Sequence, residues 1–276
     1  MTLASSTLRV AACQLRLHIG DTAANSDKGV EAIRAAAQQG ARLVVLPELA
    51  VSGYAFDSVE EARRLAETLD GPTVRLWSAL AAELDVVVVG GMCEDAGAVL
   101  RNSSVIIDRT GLRAVYRKVH LWDAEPDFFA PGDEPPPVVE TPIGRVSTMV
   151  CYDLEFPEWV RRPALAGAEV LAVPTNWPAE PVRATPTPME TVRAQGAAST
   201  NRLVVVAADR CGEERGLVWT GGSAVVSAEG HLLAGPPPMP EPCVLVADVD
   251  LAATRDKRTS ARNDALADRR TDLYGP

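Results

Sequence analysis

Histidine is nearly missing from this chain of 276 residues: His18, His120 and His231 are the only three, and they lie far apart. No HxxxH or HExxH spacing occurs, so no metal site is expected. Cysteine is sparse as well. The five cysteines include no CxxC pair and are an odd count, unlike a disulfide framework or a zinc site, and the expected setting is a reducing cytoplasm. Basic runs are also lacking. The arginine pairs at 63–64, 161–162 and 269–270 are isolated and the formal net charge is −10, which argues against nucleic acid as a partner. No apolar run reaches the roughly 20 residues that span a bilayer. The opening "MTLASSTLRV" has neither the basic flank nor the apolar stretch of a signal peptide, so no membrane association is expected.

What is present is a chain able to bury a large core, 47% hydrophobic and 23% charged, with no break in composition and no fixed repeat. One domain is expected over residues 1–276, with its core at about 8–252 and a charged peripheral tail at about 253–276. "LRVAACQL", "ARLVVLP", "DVVVVGG", "RVSTMVC", "EVLAVP" and "RLVVVAADR" are apolar runs bounded by breakers and read as buried strands. "SDKGVEAIRAAAQQG" reads as a helix capped at Asn25 or Ser26 and stopped by Gly40. "SVEEARRLAETL", "PTVRLWSALAAEL", "PEWVRRPALAGA" and "METVRAQGAAS" read as further helices. "AVLRNSSVIID" and "LRAVYRKVHL" flank a hairpin turn at Asp108–Gly111. Residues 122–137 and "TNWPAEPVRATPTP" read as loops, followed by a strand pair around "VWTGGSAVVSAEGHLLAG" and a last strand in "CVLVADVDLA". Alternating buried strands and helices imply an α/β fold with helix-covered sheets.

Three reactive residues fall at strand ends, where α/β proteins expose chemistry to loops. Glu48 follows "RLVVLP", Lys118 closes "RAVYRK", and Cys151 closes "RVSTMVC". Singly, each has a bland reading as a cap, a solvated edge residue or a core thiol. Together they supply a thiol nucleophile, a base for its proton and a positive charge for the oxyanion, without any histidine. A Cys–His pair using His120 is the rival arrangement, but His120 lacks the surroundings of a catalytic histidine.

"LPELAVSGY", "YRKVHLW" and "VCYDLEFPE" resemble, in order, the three motifs of the nitrilase superfamily, the carbon–nitrogen hydrolases. The resemblance extends from about Leu8 past Asp250, and "GEERGLVWTGGSAVVSAEG" resembles the family's later strand pair. It implies a four-layer α-β-β-α sandwich and a homodimer or larger homo-oligomer. It also implies a general base at Glu48, a lysine at Lys118, a nucleophile at Cys151 and a second glutamate at Glu125, with no cofactor. On this mechanism Lys118 favours the thiolate, and the thioester forms with Lys118 and the Tyr152 backbone N–H as oxyanion donors.

The expected reaction is hydrolysis of a small linear amide with release of ammonia. N-carbamoyl compounds and nitriles are the alternative substrates, and a catalytically silent binding protein is the alternative of another class. Leu154 and Glu155 stand where N-carbamoyl amino-acid hydrolases often carry an arginine, which speaks against a substrate carboxylate. "CYDLEFPE" and "ADRCGEE" look closer to stereoselective amidases and to amidases acting on amino-substituted amides. Thr200 departs from the glutamate that many members place before the "NR" at Asn201–Arg202. Tyr54, Trp122, Glu155 and Trp177 are the expected substrate-contacting side chains.

Overall fold

The computed structural model describes residues 7–179 and 187–274. The middle of the expected "TNWPAEPVRATPTP" loop and the whole of the opening "MTLASS" lie outside the described residues. In chain order, β1 (Thr7–Arg16), α1 (Thr22–Gln38), β2 (Leu43–Val45), α2 (Val59–Leu65), α3 (Pro72–Leu84), β3 (Val87–Asp95), β4 (Leu100–Asp108) and β5 (Gly111–Arg117) form the first half. The second half opens with β6 (Val138–Thr141), β7 (Gly144–Thr148), α4 (Pro157–Leu165), β8 (Val170–Pro174), α5 (Met189–Asn201) and β9 (Val204–Ala208). Three short strands follow, β10 (Arg210–Cys211), β11 (Glu213–Glu214) and β12 (Leu217–Val218). The described chain then runs through β13 (Ala224–Val226), β14 (Leu232–Ala234), β15 (Cys243–Asp250) and α6 (Leu251–Arg255).

Two sheets result. One has the order β10-β1-β2-β3-β4-β5, with β15 also paired to β1; the other has the order β14-β13-β9-β8-β7-β6. Strand alternation explains how they stack. In β1, Ala11, Cys13 and Leu15 pack with Ile33 and Ala36 of α1 and Trp77 of α3, in the layer outside the first sheet. Their neighbours Leu8, Val10 and Ala12 face Val170, Ala172, Val204 and Val206 across the gap between the sheets. In turn Leu171, Val173, Val205 and Ala207 face Ala194 and Ala198 of α5 and Val160 of α4. Period-two side chains on doubly buried strands therefore give helix, sheet, sheet and helix, the expected four-layer α-β-β-α sandwich.

Local differences from the sequence-based expectations have physical causes. The first helix begins earlier than Asn25 because Asp21 accepts the Ala24 N–H as its cap. Asn25 is instead buried and ties His18 O to Val51 O. The helix α2 is shorter than "SVEEARRLAETL" because Glu67 bridges to Glu94 and accepts from the Thr73 N–H and hydroxyl at the start of α3. β6 was not expected; it pairs antiparallel with β7 through a tight turn at Gly144. "RLVVVAADR" divides, because Asp209 leaves the second sheet and Arg210 joins the edge of the first.

Candidate active site

Glu48, Lys118 and Cys151 come from three loop entries, and the fold holds each by its backbone. After β2 the chain passes Pro47 and turns at Leu49, whose φ is 48°. Gly91 of β3 lies flush against this turn: a Cβ there would sit 2.5 Å from Glu48 Cα. The Gly91 N–H donates to Pro47 O at 3.0 Å, and the Ala50 N–H donates to Gly91 O at 2.9 Å. From the segment after β8, Asn176 Nδ2 donates to Glu48 O at 3.0 Å. Lys118 follows β5, with its N–H donating to Asn102 O at 2.8 Å. Cys151 follows the extended Val150 and opens a 3-10 turn over Cys151–Glu155 with φ 48°. A cysteine in the left-handed region is sterically disfavoured, and such strain clusters at functional sites.

The side chains meet in a closed interior. Glu48 is 0% and Lys118 1% exposed. Lys118 Nζ donates to Glu48 Oε1 at 2.9 Å and to Glu125 Oε1 at 2.8 Å. Asn102 Nδ2 donates to the same two oxygens at 2.6 and 3.2 Å. Tyr54 adds its hydroxyl to Glu125 Oε1 at 3.0 Å, and the Trp122 N–H donates to Glu125 Oε2 at 2.8 Å. Glu48 Oε2 has no partner among the described residues. A buried carboxylate with one oxygen fixed and the other open can take up a proton without rearranging.

Electrostatics match that geometry. Burial, the largest influence, with the nearby Glu125 charge, pushes Glu48 up to about 7 against the opposing pull of Lys118. Burial alone would lower Lys118, but Glu48 and Glu125 outweigh it and raise its pKa. The Cys151 thiol is held well above its ordinary value by burial and by Glu48, with Lys118 and the Asn176 backbone N–H pulling the other way. Lys118 thus pulls toward the thiolate, but burial and Glu48 outweigh it, and the resting thiol keeps its proton. Burial likewise pushes Cys13 and Cys93 up to about 12, so a high pKa does not single out Cys151; its neighbours do.

The other expected residues are distributed as follows. A cavity of about 530 Å³ is lined by Cys151, Tyr152, Glu155, Trp177 and Trp122. Tyr152 is the second residue of the 3-10 turn, where backbone N–H groups lack partners within the turn. Trp122 also borders a second cavity of about 210 Å³, shared with Tyr54, Glu125 and Phe128. His120 is engaged elsewhere. Its Nδ1 lies 2.7 Å from Asp153 Oδ1, and its ring stacks on Phe156 at 3.8 Å. Thr200, the departure noted in the sequence, donates to Gly196 O within its own helix. Among the described residues no group of three or more His, Cys, Asp or Glu could hold a metal ion, and no helix is long and apolar enough to cross a membrane.

Sequence reasoning missed several polar residues around the site. Asn102 was hidden in "LRNSSVIID", although three buried polar residues in an apolar strand are a signal of tertiary hydrogen bonding. Asn176 falls in the expected "TNWPAEPVRATPTP" loop, where nothing local marks it out. Asp209, buried, accepts from the backbone N–H groups of Trp177, Arg210 and Gly222. Arg210 is 0% exposed; it pairs with Glu214 at 2.8 Å and lies over the Trp219 ring. Glu214 in turn accepts the N–H groups of Tyr54 and Ala55, so the "ADRCGEE" segment positions the loop that carries Tyr54.

A fold of this kind around a buried Glu–Lys–Cys set defines a class of hydrolase, and comparison with known proteins agrees. Residues 9–259 match the carbon-nitrogen hydrolase family, and the chain belongs to it. It is 38% identical over 270 residues to a nitrilase of Pyrococcus abyssi, covering 97% of this chain and 99% of that one. It is 34% identical over 271 residues to an (R)-stereoselective amidase of a Pseudomonas species, covering 97% and 93%. The crystal structure of an amidase from Nesterenkonia sp. superposes with a TM-score of 0.79 at 30% identity, covering 98% of this chain and 96% of the other. In a glutamate-to-glutamine variant of that amidase, acrylamide is joined to the active-site cysteine by Michael addition.

Proposed function

We propose that this carbon–nitrogen hydrolase is an amidase that cleaves a small linear amide through a thioester on Cys151 and releases ammonia. The observation that carries the reading is the half-satisfied Glu48 carboxylate. Lys118 and Asn102 fix its Oε1, its Oε2 is open, and it lies within electrostatic reach of the Cys151 thiol. A base whose pKa lies near 7 is suited to accept and return a proton at neutral pH.

In this mechanism the thiol proton moves to Glu48 as sulfur attacks the amide carbon. The carbonyl electron pair moves onto oxygen, which the Lys118 ammonium and the Tyr152 N–H stabilise. Collapse of the adduct breaks the C–N bond, and Glu48 hands its proton to the departing nitrogen. Glu48 then removes a proton from water, which attacks the thioester, and the second adduct expels the sulfur with its proton restored. Glu125, locked by four donors, keeps the Lys118 ammonium in place. Hydrolysis of N-carbamoyl compounds or nitriles would use the same groups and is the second reading, supported by the nitrilase relative. The reading includes one hydrolase domain, self-association and a cytoplasmic setting. The test is ammonia release from a panel of amides, carbamoyl compounds and nitriles, with intact-mass detection of the acyl-enzyme. Failure of every amide, or an adduct on a residue other than Cys151, would overturn it.

A further inference from the structure

The cavity over Cys151 has a charged wall that the mechanism above does not use. Glu155 ends the 3-10 turn, and Glu190 and Arg193 lie one helical turn apart on α5; all three line the cavity. Arg193 Nη1 donates to Glu155 Oε1 at 3.1 Å and lies 3.7 Å from Glu190 Oε1. The Glu155 side chain is 28% exposed, Glu190 13% and Arg193 39%. Among the described lining residues, one cation shared by two carboxylates leaves a net negative wall. Asn176 lines the same cavity at 1% exposure. Its Oδ1 has no partner among the described residues, a buried acceptor on a wall that a hydrogen-donating ligand would complete.

We propose that Glu155 and Glu190, tied in place by Arg193, recognise a positively charged amino group at the end of the substrate remote from the scissile amide. This rests on the amidase reading and narrows it to amides bearing an ammonium. The sign follows from counting charges. An ammonium at this wall meets two attractions and one repulsion, and its N–H groups can bond the carboxylate oxygens that Arg193 leaves open. A carboxylate meets the reverse, and could reach Arg193 only by competing with Glu155. Burial is the largest influence on Glu155 and raises its pKa, so a cation placed beside it also relieves a partly desolvated charge. Trp122, Tyr152 and Trp177, with Pro178 and Ala179, also line the cavity and suit the apolar chain between the two ends of such a substrate.

The experiment compares kcat/KM for three amides of equal chain length ending in an amino, a methyl or a carboxylate group. It uses the wild-type enzyme, Glu155→Gln, Glu190→Gln and Arg193→Gln. The expected wild-type order is amino, then methyl, then carboxylate, with about tenfold or more between the first two, as a charged hydrogen bond provides. Each Glu→Gln change should cut the amino substrate's rate several-fold more than the methyl substrate's, and Arg193→Gln should widen the amino preference. A wild-type enzyme that turns over the methyl amide as well as the amino amide overturns this inference and leaves the amidase reading standing. Equal losses on all three substrates in the Glu variants would also overturn it, since a role in tying α5 to the turn predicts them. Turnover of none of the three would overturn both readings.

Discussion

Replacing Glu48 by glutamine tests the site most directly. The amide oxygen can occupy the place of Oε1, where Asn102 donates at 2.6 Å and Lys118 at 2.9 Å. The new NH₂ falls where Oε2 has no partner, so no existing hydrogen bond need break. The change therefore keeps the shape while removing the proton acceptor and one of the two negative charges that face Lys118. Loss of a positioned general base costs on the order of 10²- to 10⁴-fold in rate, about 2.7–5.4 kcal/mol of barrier at 1.36 kcal/mol per decade. The loss should fall on kcat and not on KM. In the wild type, Glu48 must be ionised to accept the thiol proton, so kcat/KM should climb as pH rises through about 7. That limb should vanish in Glu48→Gln. Steady-state ammonia release across a pH series measures both effects. A loss smaller than about tenfold, or a limb that survives in the variant, would refute Glu48 as the base.

Cys151→Ala should abolish turnover and leave the far-ultraviolet circular dichroism spectrum unchanged, because a small side chain is removed at the start of a turn; substantial residual ammonia release would contradict the nucleophile assignment. Asn102→Ala removes a hydrogen bond that lowers the Glu48 pKa, so the acidic limb of the pH profile should move to higher pH and kcat should fall; an unmoved limb would count against its part in tuning the base. Arg210→Met leaves Glu214 buried without its cation and should destabilise the fold by about 3–5 kcal/mol in denaturant unfolding. Tyr54→Phe deletes one of four donors to the Glu125 carboxylate and should cost about 1.5–3 kcal/mol, as a hydrogen bond to a charged group does, seen as a fall in kcat with the circular dichroism spectrum unchanged.

The strands were legible because doubly buried strands write themselves as unbroken apolar runs, as in "DVVVVGG" and "EVLAVP". The layers followed from the resemblance, and the alternation of Val204, Val205 and Val206 between two cores shows the physical basis. Glu48, Lys118 and Cys151 were visible because motifs set them at strand ends. Asn102 and Asn176 were not, because their importance lies in partners 54 and 128 residues away in sequence, beyond any local pattern. The same holds for the resting thiol. Sequence shows a lysine that could share the cysteine's site, but only the fold shows that burial and Glu48 outweigh it. β6 escaped because its four residues follow a proline-rich stretch that reads as continuous loop.

The enclosure of Lys118 between two carboxylates also constrains how charge can move during turnover. With Glu48 ionised, the set of Glu48, Lys118, Glu125 and Cys151 carries one net negative charge. When the thiol proton passes to Glu48 and the substrate oxygen becomes anionic, the total is unchanged. It is unchanged again in the thioester, once that proton has left with the nitrogen. Each stage thus keeps the same monopole inside a low-dielectric interior, and only the position of the negative charge shifts, over the reach of one lysine. No compensating ion or proton has to cross from bulk solvent while the bonds rearrange, so the surrounding protein faces nearly the same electrostatic demand at every step of the cycle.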